Sequence, residues 1–132
     1  MLDVDFGPLD PNGSEPVYLQ IIRRFKLLIL RDALRDGDEA PSRRMLAARL
    51  GINPNTVQKA FAELEEEGLL ETPPNAKSLI RVNETMKSRL RAELLEREVA
   101  GLITMAKDAG LDYKGLIDLI SAGWEVYRND NT

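Results

Sequence analysis

From Pro16 onward the apolar residues Tyr18, Ile21, Ile22, Phe25, Leu28 and Ile29 return at intervals of three and four, the pattern of a helix with one buried face. Ser14 is placed to cap that helix, Glu15 and Pro16 suit its first turn, and Gly37 ends the turn that follows. A short second helix is expected from about 42 to 50, because Ser42 precedes Met45, Leu46, Ala47 and Leu50, and Gly51 follows at once. Asn53 and Pro54 open a third helix and Gly68 stops it. Between them Val57, Phe61 and Leu64 line one face, with Ala60 at a close approach. Two short helices joined around Gly51, Ile52 and Asn53 form a helix-turn-helix pattern.

Past Gly68 the period changes. Leu69 to Thr72 and Ser78 to Val82 are strand-like, and Pro73, Pro74, Asn75, Ala76 and Lys77 separate them, so a hairpin or wing is expected. After Asn83, a further capping residue, the positions Met86, Leu90, Leu94, Leu95, Val99, Leu102, Ile103 and Ala106 carry a helical period to Gly110. A last helix starts at Asp112, with Leu116, Ile117, Ile120, Trp124 and Tyr127 on its apolar face. Residues 1–15 carry Gly7, Pro8, Pro11 and Gly13 with Asp3, Asp5, Asp10 and Glu15, and read as an extended arm ahead of the fold. The expected fold class is therefore mostly α with a small β-hairpin: an arm (1–15), a winged helix-turn-helix (16–82) and two carboxy-terminal helices (83–132).

Composition narrows the chemistry. With 132 residues, 43% hydrophobic and 30% charged, the chain suits one compact domain or a small domain with an appendage. It has no Cys and no His. That excludes a disulfide framework, a Cys/His zinc site, a thiol nucleophile and an imidazole base. No phosphate-cradling glycine loop or acid/base constellation stands in their place, so an enzyme is not expected and no cofactor or metal is implied. Glu63, Glu66 and Glu67 read as a solvated helix face rather than a cation site. Apolar runs such as Leu27 to Leu30 fall far short of the roughly 18 residues of a membrane span. The amino terminus has no signal pattern, so a cytoplasmic protein with no membrane partner is expected.

Charge distribution changes the picture again. The net charge of −4 argues against indiscriminate binding to nucleic acid, yet residues 40–62 hold Arg43, Arg44, Arg49 and Lys59 and no Asp or Glu. The acids crowd the borders, at Asp36, Asp38 and Glu39 before and Glu63, Glu65, Glu66 and Glu67 after. A module that meets phosphates while staying soluble distributes charge in this way. With Val57, Phe61 and Leu64 inward, the third helix turns Asn55, Thr56, Gln58 and Lys59 outward at its amino-terminal half, the end from which recognition helices reach bases. Asn and Gln can bond adenine through two atoms, Thr can meet an acceptor or a thymine methyl, and Lys suits phosphate or guanine. Arg44 can reach a phosphate or guanine edge, and Ser42 offers the amides of its helix start to phosphate. Arg43 and Arg49 suit DNA contact or the covering of apolar neighbours equally.

These residues resemble the GntR family of bacterial transcription regulators, in its short YtrA-type branch. The likeness runs through Pro16-Val-Tyr-Leu-Gln-Ile-Ile, Gly37-Asp, Pro41-Ser-Arg-Arg-Met-Leu-Ala, Asn53-Pro-Asn-Thr-Val-Gln-Lys-Ala and Glu63-Leu-Glu-Glu-Glu-Gly-Leu-Leu-Glu-Thr, in the family's order. It implies a winged helix-turn-helix in which Arg44 contacts operator DNA and Asn55, Thr56, Gln58 and Lys59 form the recognition surface. The DNA-binding set on this reading is Ser42, Arg43, Arg44, Asn53, Asn55, Thr56, Gln58, Lys59 and Lys77. The wing departs from the family's Gly-x-Gly-Thr tip, with Asn75, Ala76, Lys77 and Ser78 in its place; Lys77 supplies charge where glycine would allow close approach. The resemblance further implies a homodimer built on the carboxy-terminal helices through Leu94, Val99, Leu102, Ile103, Ile117, Ile120 and Trp124. A repressor bound to an inverted-repeat, double-stranded operator is the expected function. Room remains for a small-molecule effector of unidentified chemistry; Trp124 and Tyr127 suit core or dimer packing better than the lining of a ligand pocket. The rival reading is a winged-helix adaptor that pairs with protein and reads no DNA.

Overall fold

The computed structural model describes residues 6–127. Its elements run α1 (Val17–Leu30), α2 (Arg43–Leu50), α3 (Pro54–Glu66), β1 (Leu70–Glu71), β2 (Leu79–Ile80), α4 (Glu84–Asp108) and α5 (Tyr113–Tyr127). In the first 91 residues, three helix starts follow the capping chemistry of the sequence. The Ser42 hydroxyl accepts from the Met45 amide, Asn53 Oδ1 accepts from the Asn55 amide at 2.8 Å ahead of Pro54, and Asn83 Oδ1 accepts from Met86 at 2.9 Å. Gly51 closes α2 in the left-handed region at φ 67, a conformation that costs a residue with a Cβ. At α1 the expectation fails: Pro16 is the cap residue, its carbonyl accepting from Leu19 and Gln20, and no side chain caps the helix. Ser14 stands two residues too far upstream to reach those amides.

The chain divides into two compact units, one ending at Arg91 and one starting at Ala92. In the first, α1 lies on α3 through Ile21, Phe25 and Ile29 against Val57, Phe61 and Leu64, all fully buried. Phe25 is the centre of this core. Its ring meets Phe61 edge-on at 5.2 Å and Phe6 at 4.8 Å. Leu46 and Ala47 of α2, Leu70 and Ile80 of the hairpin, and Leu90 of α4 close the remaining sides.

The hairpin pairs Leu70 with Ile80 and Glu71 with Leu79. Its strands are shorter than the expected 69–72 and 78–82, and β2 also has a second hydrogen-bonded neighbour. Gly37 donates to the Ile80 carbonyl, Ile80 to that of Asp38 and Ala40 to that of Ser78, each at 2.8 Å. The segment before α2 thus forms a third rung and ties α2 to the hairpin. Asp36 Oδ1 accepts from the Val82 amide at 2.9 Å and finishes that edge.

The arm is the main departure from the sequence reading. Phe6 is 4% exposed and belongs to the core, and Leu9 packs against it. Gln20 bonds the backbone of Asp10 in both directions, at 2.7 and 2.8 Å, Arg24 donates to the Pro8 carbonyl, and Arg23 pairs with Glu15. A glycine- and proline-rich composition predicts irregular backbone correctly, but one buried aromatic is enough to anchor such a segment. Asp3 and Asp5 lie outside the described residues. At the other end of α1, Lys26 is buried with its ammonium 3.0 Å from Glu67, and Lys87 of α4 pairs with Asp32. The hydrogen bond from Lys87 holds the Asp32 carboxyl below its usual pKa.

In the second unit Gly110, at φ 82, turns the chain between α4 and α5 while the Leu111 amide bonds back to the Ala106 carbonyl. Asp112 Oδ1 accepts from the Gly115 amide and starts α5. None of the described helices is long and apolar enough to cross a membrane. Anchoring by Phe6 predicts that Phe6→Ala lowers stability by about 3 kcal/mol in urea unfolding of the full chain. An unchanged midpoint would mean that the arm adds nothing to the core.

Candidate nucleic-acid interface

The helix-turn-helix turns one polar face to solvent, without Asp or Glu from Ser42 to Ala62. α2 and α3 bury Leu46, Ala47, Val57, Ala60 and Phe61 between themselves and α1, which leaves Asn53, Asn55, Gln58 and Lys59 exposed and Thr56 half-buried along the opposite side of α3. Ser42 and Arg44 are exposed at the start of α2. A cleft of about 440 Å³ separates that helix start from the hairpin tip, lined by Ala40 to Met45 on one side and Ala76 to Ser78 on the other. It brings Ser42, Arg43, Arg44 and Lys77 to one place, although Lys77 lies 33 or more positions after the others in sequence. Ser78 anchors the tip, buried and hydrogen-bonded through its hydroxyl to Thr72 at 2.6 Å. Asn75 makes the turn at φ 56, a left-handed conformation that asparagine tolerates better than most residues.

The cations of this region are held in three ways. Arg43 turns inward: its guanidinium stacks 4.7 Å from the centre of the Phe61 ring and pairs with Glu65 at 2.8 Å, and its Nε is buried without a hydrogen-bond acceptor. So the +4 counted along residues 40–62 does not all face outward, because Glu65, one helical turn past Phe61, meets Arg43 across the α2–α3 contact. Lys77 stands 3.5 Å from Glu39, both well exposed, a pairing that water screens. Lys59 lies over the Tyr18 ring, 4.0 Å from its centre. Neither this aromatic contact nor the Arg43–Glu65 pair is visible in sequence, since each joins helices whose relative placement only the packed core decides. Arg49 engages other groups within the chain.

The second unit offers a different surface. Val99, Leu102, Ile103, Ile117 and Ile120 are between 37% and 50% exposed and Trp124 is 70% exposed, while Leu94 is half-buried. A groove of about 560 Å³ between α4 and α5 is lined by Leu102, Leu116, Leu119, Ile120, Gly123, Trp124 and Tyr127. No group of His, Cys, Asp or Glu side chains among the described residues is arranged to hold a metal ion.

Comparison with known proteins places this architecture. Residues 17–76, from α1 to the hairpin tip, match the family model described as bacterial regulatory proteins, gntR family. The repressor YtrA of Bacillus subtilis, an HTH-type transcriptional repressor, is 37% identical over 113 residues, which cover 85% of this chain and 87% of that protein. The chain belongs to the gntR family. Its winged helix-turn-helix fold is that of this family of transcription regulators. A GntR family transcriptional regulator from Listeria monocytogenes superposes with a TM-score of 0.75 at 25% identity, over 84% of this chain and 97% of that one. A transcriptional regulator from Oenococcus oeni gives a TM-score of 0.72 at 30% identity, over 86% and 95%. These alignments cover more of the chain than the winged module and the residues before it, so at least part of the carboxy-terminal helical region belongs to the shared architecture.

The inward and outward arginines separate cleanly by experiment. Arg43→Ala is expected to lower stability by about 1 to 2 kcal/mol, through lost stacking, pairing and stem packing. Arg44→Ala is expected to stay within about 0.5 kcal/mol of the parent. Urea unfolding of the two variants checks both, and equal losses would contradict the placement of Arg43.

Proposed function

We propose that the chain is a homodimeric transcription repressor of the cytoplasm that binds an inverted-repeat operator through two winged modules. The observation that carries the reading is the exposed set of Arg44, Asn55, Gln58 and Lys59 on α2 and the amino-terminal half of α3, a stretch without Asp or Glu, beside a cleft that adds Ser42 and Lys77. Asn55 and Gln58 supply paired donor and acceptor groups for base edges, Thr56 a hydroxyl and a methyl, Arg44 a fork for guanine or phosphate. The amides at the start of α2 and the Lys77 ammonium serve the backbone. Asn53 spends its side chain on the cap of α3 and so acts by fixing the helix that enters the groove. Arg43 acts the same way, as the strut between α2 and α3.

The apolar face of α4 and α5 supports the dimer. A single chain exposes Val99, Leu102, Ile103, Ile117, Ile120 and Trp124, and apolar side chains exposed together mark an interaction surface. A second copy covers it, with Leu94 at the edge of the same face. Two-fold pairing then sets the half-site centres about 10 base pairs apart or a multiple of that. The repressor role is carried over from the Bacillus subtilis repressor YtrA. Any small molecule that changes the relative placement of the two modules would change operator affinity by a coupling free energy.

One selection from random DNA duplexes at about 0.1 M salt, where non-specific charge contacts are weakened, tests this with three proteins. The parent is expected to enrich a two-fold symmetric motif. Arg44→Ala should cost about 1 to 3 kcal/mol in affinity and relax the preference at one base pair of each half-site. Val99→Asp, which places a carboxylate in the proposed interface, should enrich single half-sites only. Absence of any enrichment by the folded parent contradicts the reading and favours a protein-binding winged helix.

A further inference from the structure

Tyr18 sits in the first turn of α1 and Lys59 on the outer side of α3, one turn beyond Asn55. Their side chains meet, with the Lys59 ammonium 4.0 Å from the centre of the Tyr18 ring. Tyr18 is half-buried and packs against the hydrophobic core, so the ring is fixed by the contact of α1 with α3. Lys59 is exposed and carries a flexible four-carbon stem. The ring therefore gives a place to a charge that would otherwise sample many rotamers.

The chemistry of the holder matters. Arg43 and Lys77 each stand beside a carboxylate, Glu65 and Glu39, and a carboxylate both positions a cation and neutralises it. An aromatic face positions a cation through its quadrupole and leaves the full charge available to a phosphate. We propose that Tyr18 is a positioning residue for DNA binding: its ring holds the Lys59 ammonium at the α1–α3 junction, where the phosphate backbone bordering the occupied major groove approaches. Lys59 on this account meets phosphate rather than a base. The ordering cost of the lysine side chain is met in the free protein, so less is lost on binding. This inference rests on the DNA-binding reading above.

The test measures affinity against salt concentration for the parent, Tyr18→Phe, Tyr18→Leu, Lys59→Ala and the Tyr18→Leu/Lys59→Ala double variant. Two duplexes are used: the one enriched in the selection and a random-sequence duplex of equal length. Tyr18→Phe keeps the ring and should bind as the parent does. Tyr18→Leu should weaken binding about two- to fivefold on both duplexes without altering base preference. Lys59→Ala should reduce the slope of log affinity against log salt by about 0.9, the value for one phosphate contact. In the Lys59→Ala background, Tyr18→Leu should have no further effect. Equal losses from Tyr18→Leu with and without Lys59 would overturn the inference, as would tighter binding by Tyr18→Leu. Should Tyr18→Leu fold poorly, the ring-current shift of the Lys59 ε-methylene protons in the parent carries the test. Retention of that shift in the DNA complex supports the inference and its loss overturns it. A parent that binds neither duplex defeats the operator reading itself, whereas parent binding with additive variants defeats this inference alone.

Discussion

The edge-on packing of Phe25 against Phe61 is the contact on which the rest of the first unit depends. α3 has 13 residues, too few to hold its shape in water alone, and its polar face is displayed only because its apolar face is buried against α1. With Val57, Phe61 and Leu64 fixed inward, the helical period leaves Asn55, Gln58 and Lys59 no direction but outward. Phe6 closes the far side of Phe25, and Arg43 closes the solvent side of Phe61. The surface offered to a nucleic acid is thus the reverse side of an aromatic cluster. Truncating that cluster moves the surface before it touches any residue on it.

Around this core the chain ties its helix starts with short polar links. Asn53, Asn83 and Ser42 satisfy amides that would otherwise be orphaned, and Gly37 to Ala40 lends β2 a second hydrogen-bonded neighbour. The last of these holds the chain just before Ser42 and the cleft lined by Ala40 to Met45 and the hairpin tip. Charge is handled with the same economy. Cations that hold the domain together, such as Lys26 and Arg43, face carboxylates, while Lys59 faces a ring and Arg44 faces solvent.

Most of the fold is legible in the sequence because it is local. The helical periods of α1, α3, α4 and α5, the caps at Ser42, Asn53 and Asn83, and the stops at Gly51 and Gly110 each depend on residues a few positions apart. The hairpin is legible but the second neighbour of β2 is not, since Gly37 to Ala40 lies some 40 residues from its partner. The arm is misread for a related reason: four Gly and Pro residues outweigh one Phe in any local count, and only the packed structure shows that Phe6 reaches Phe25. Within the candidate site, residue types and outward direction along α3 are legible from its apolar stripe. The pairings Arg43–Glu65 and Lys59–Tyr18 are not, because they join different helices and need the crossing of those helices to be known.

On the proposed function one face, made by α2, the amino-terminal half of α3 and the hairpin tip, meets DNA while α4 and α5 do not. Titration of the isotope-labelled full chain with the selected duplex, followed through backbone amide shifts, tests it most directly. The account predicts the largest shifts at Ser42 to Arg44, at Asn55 to Lys59 and at Lys77. Shifts centred instead on α5, or on the acidic end of α3 from Glu63 to Glu67, would contradict it.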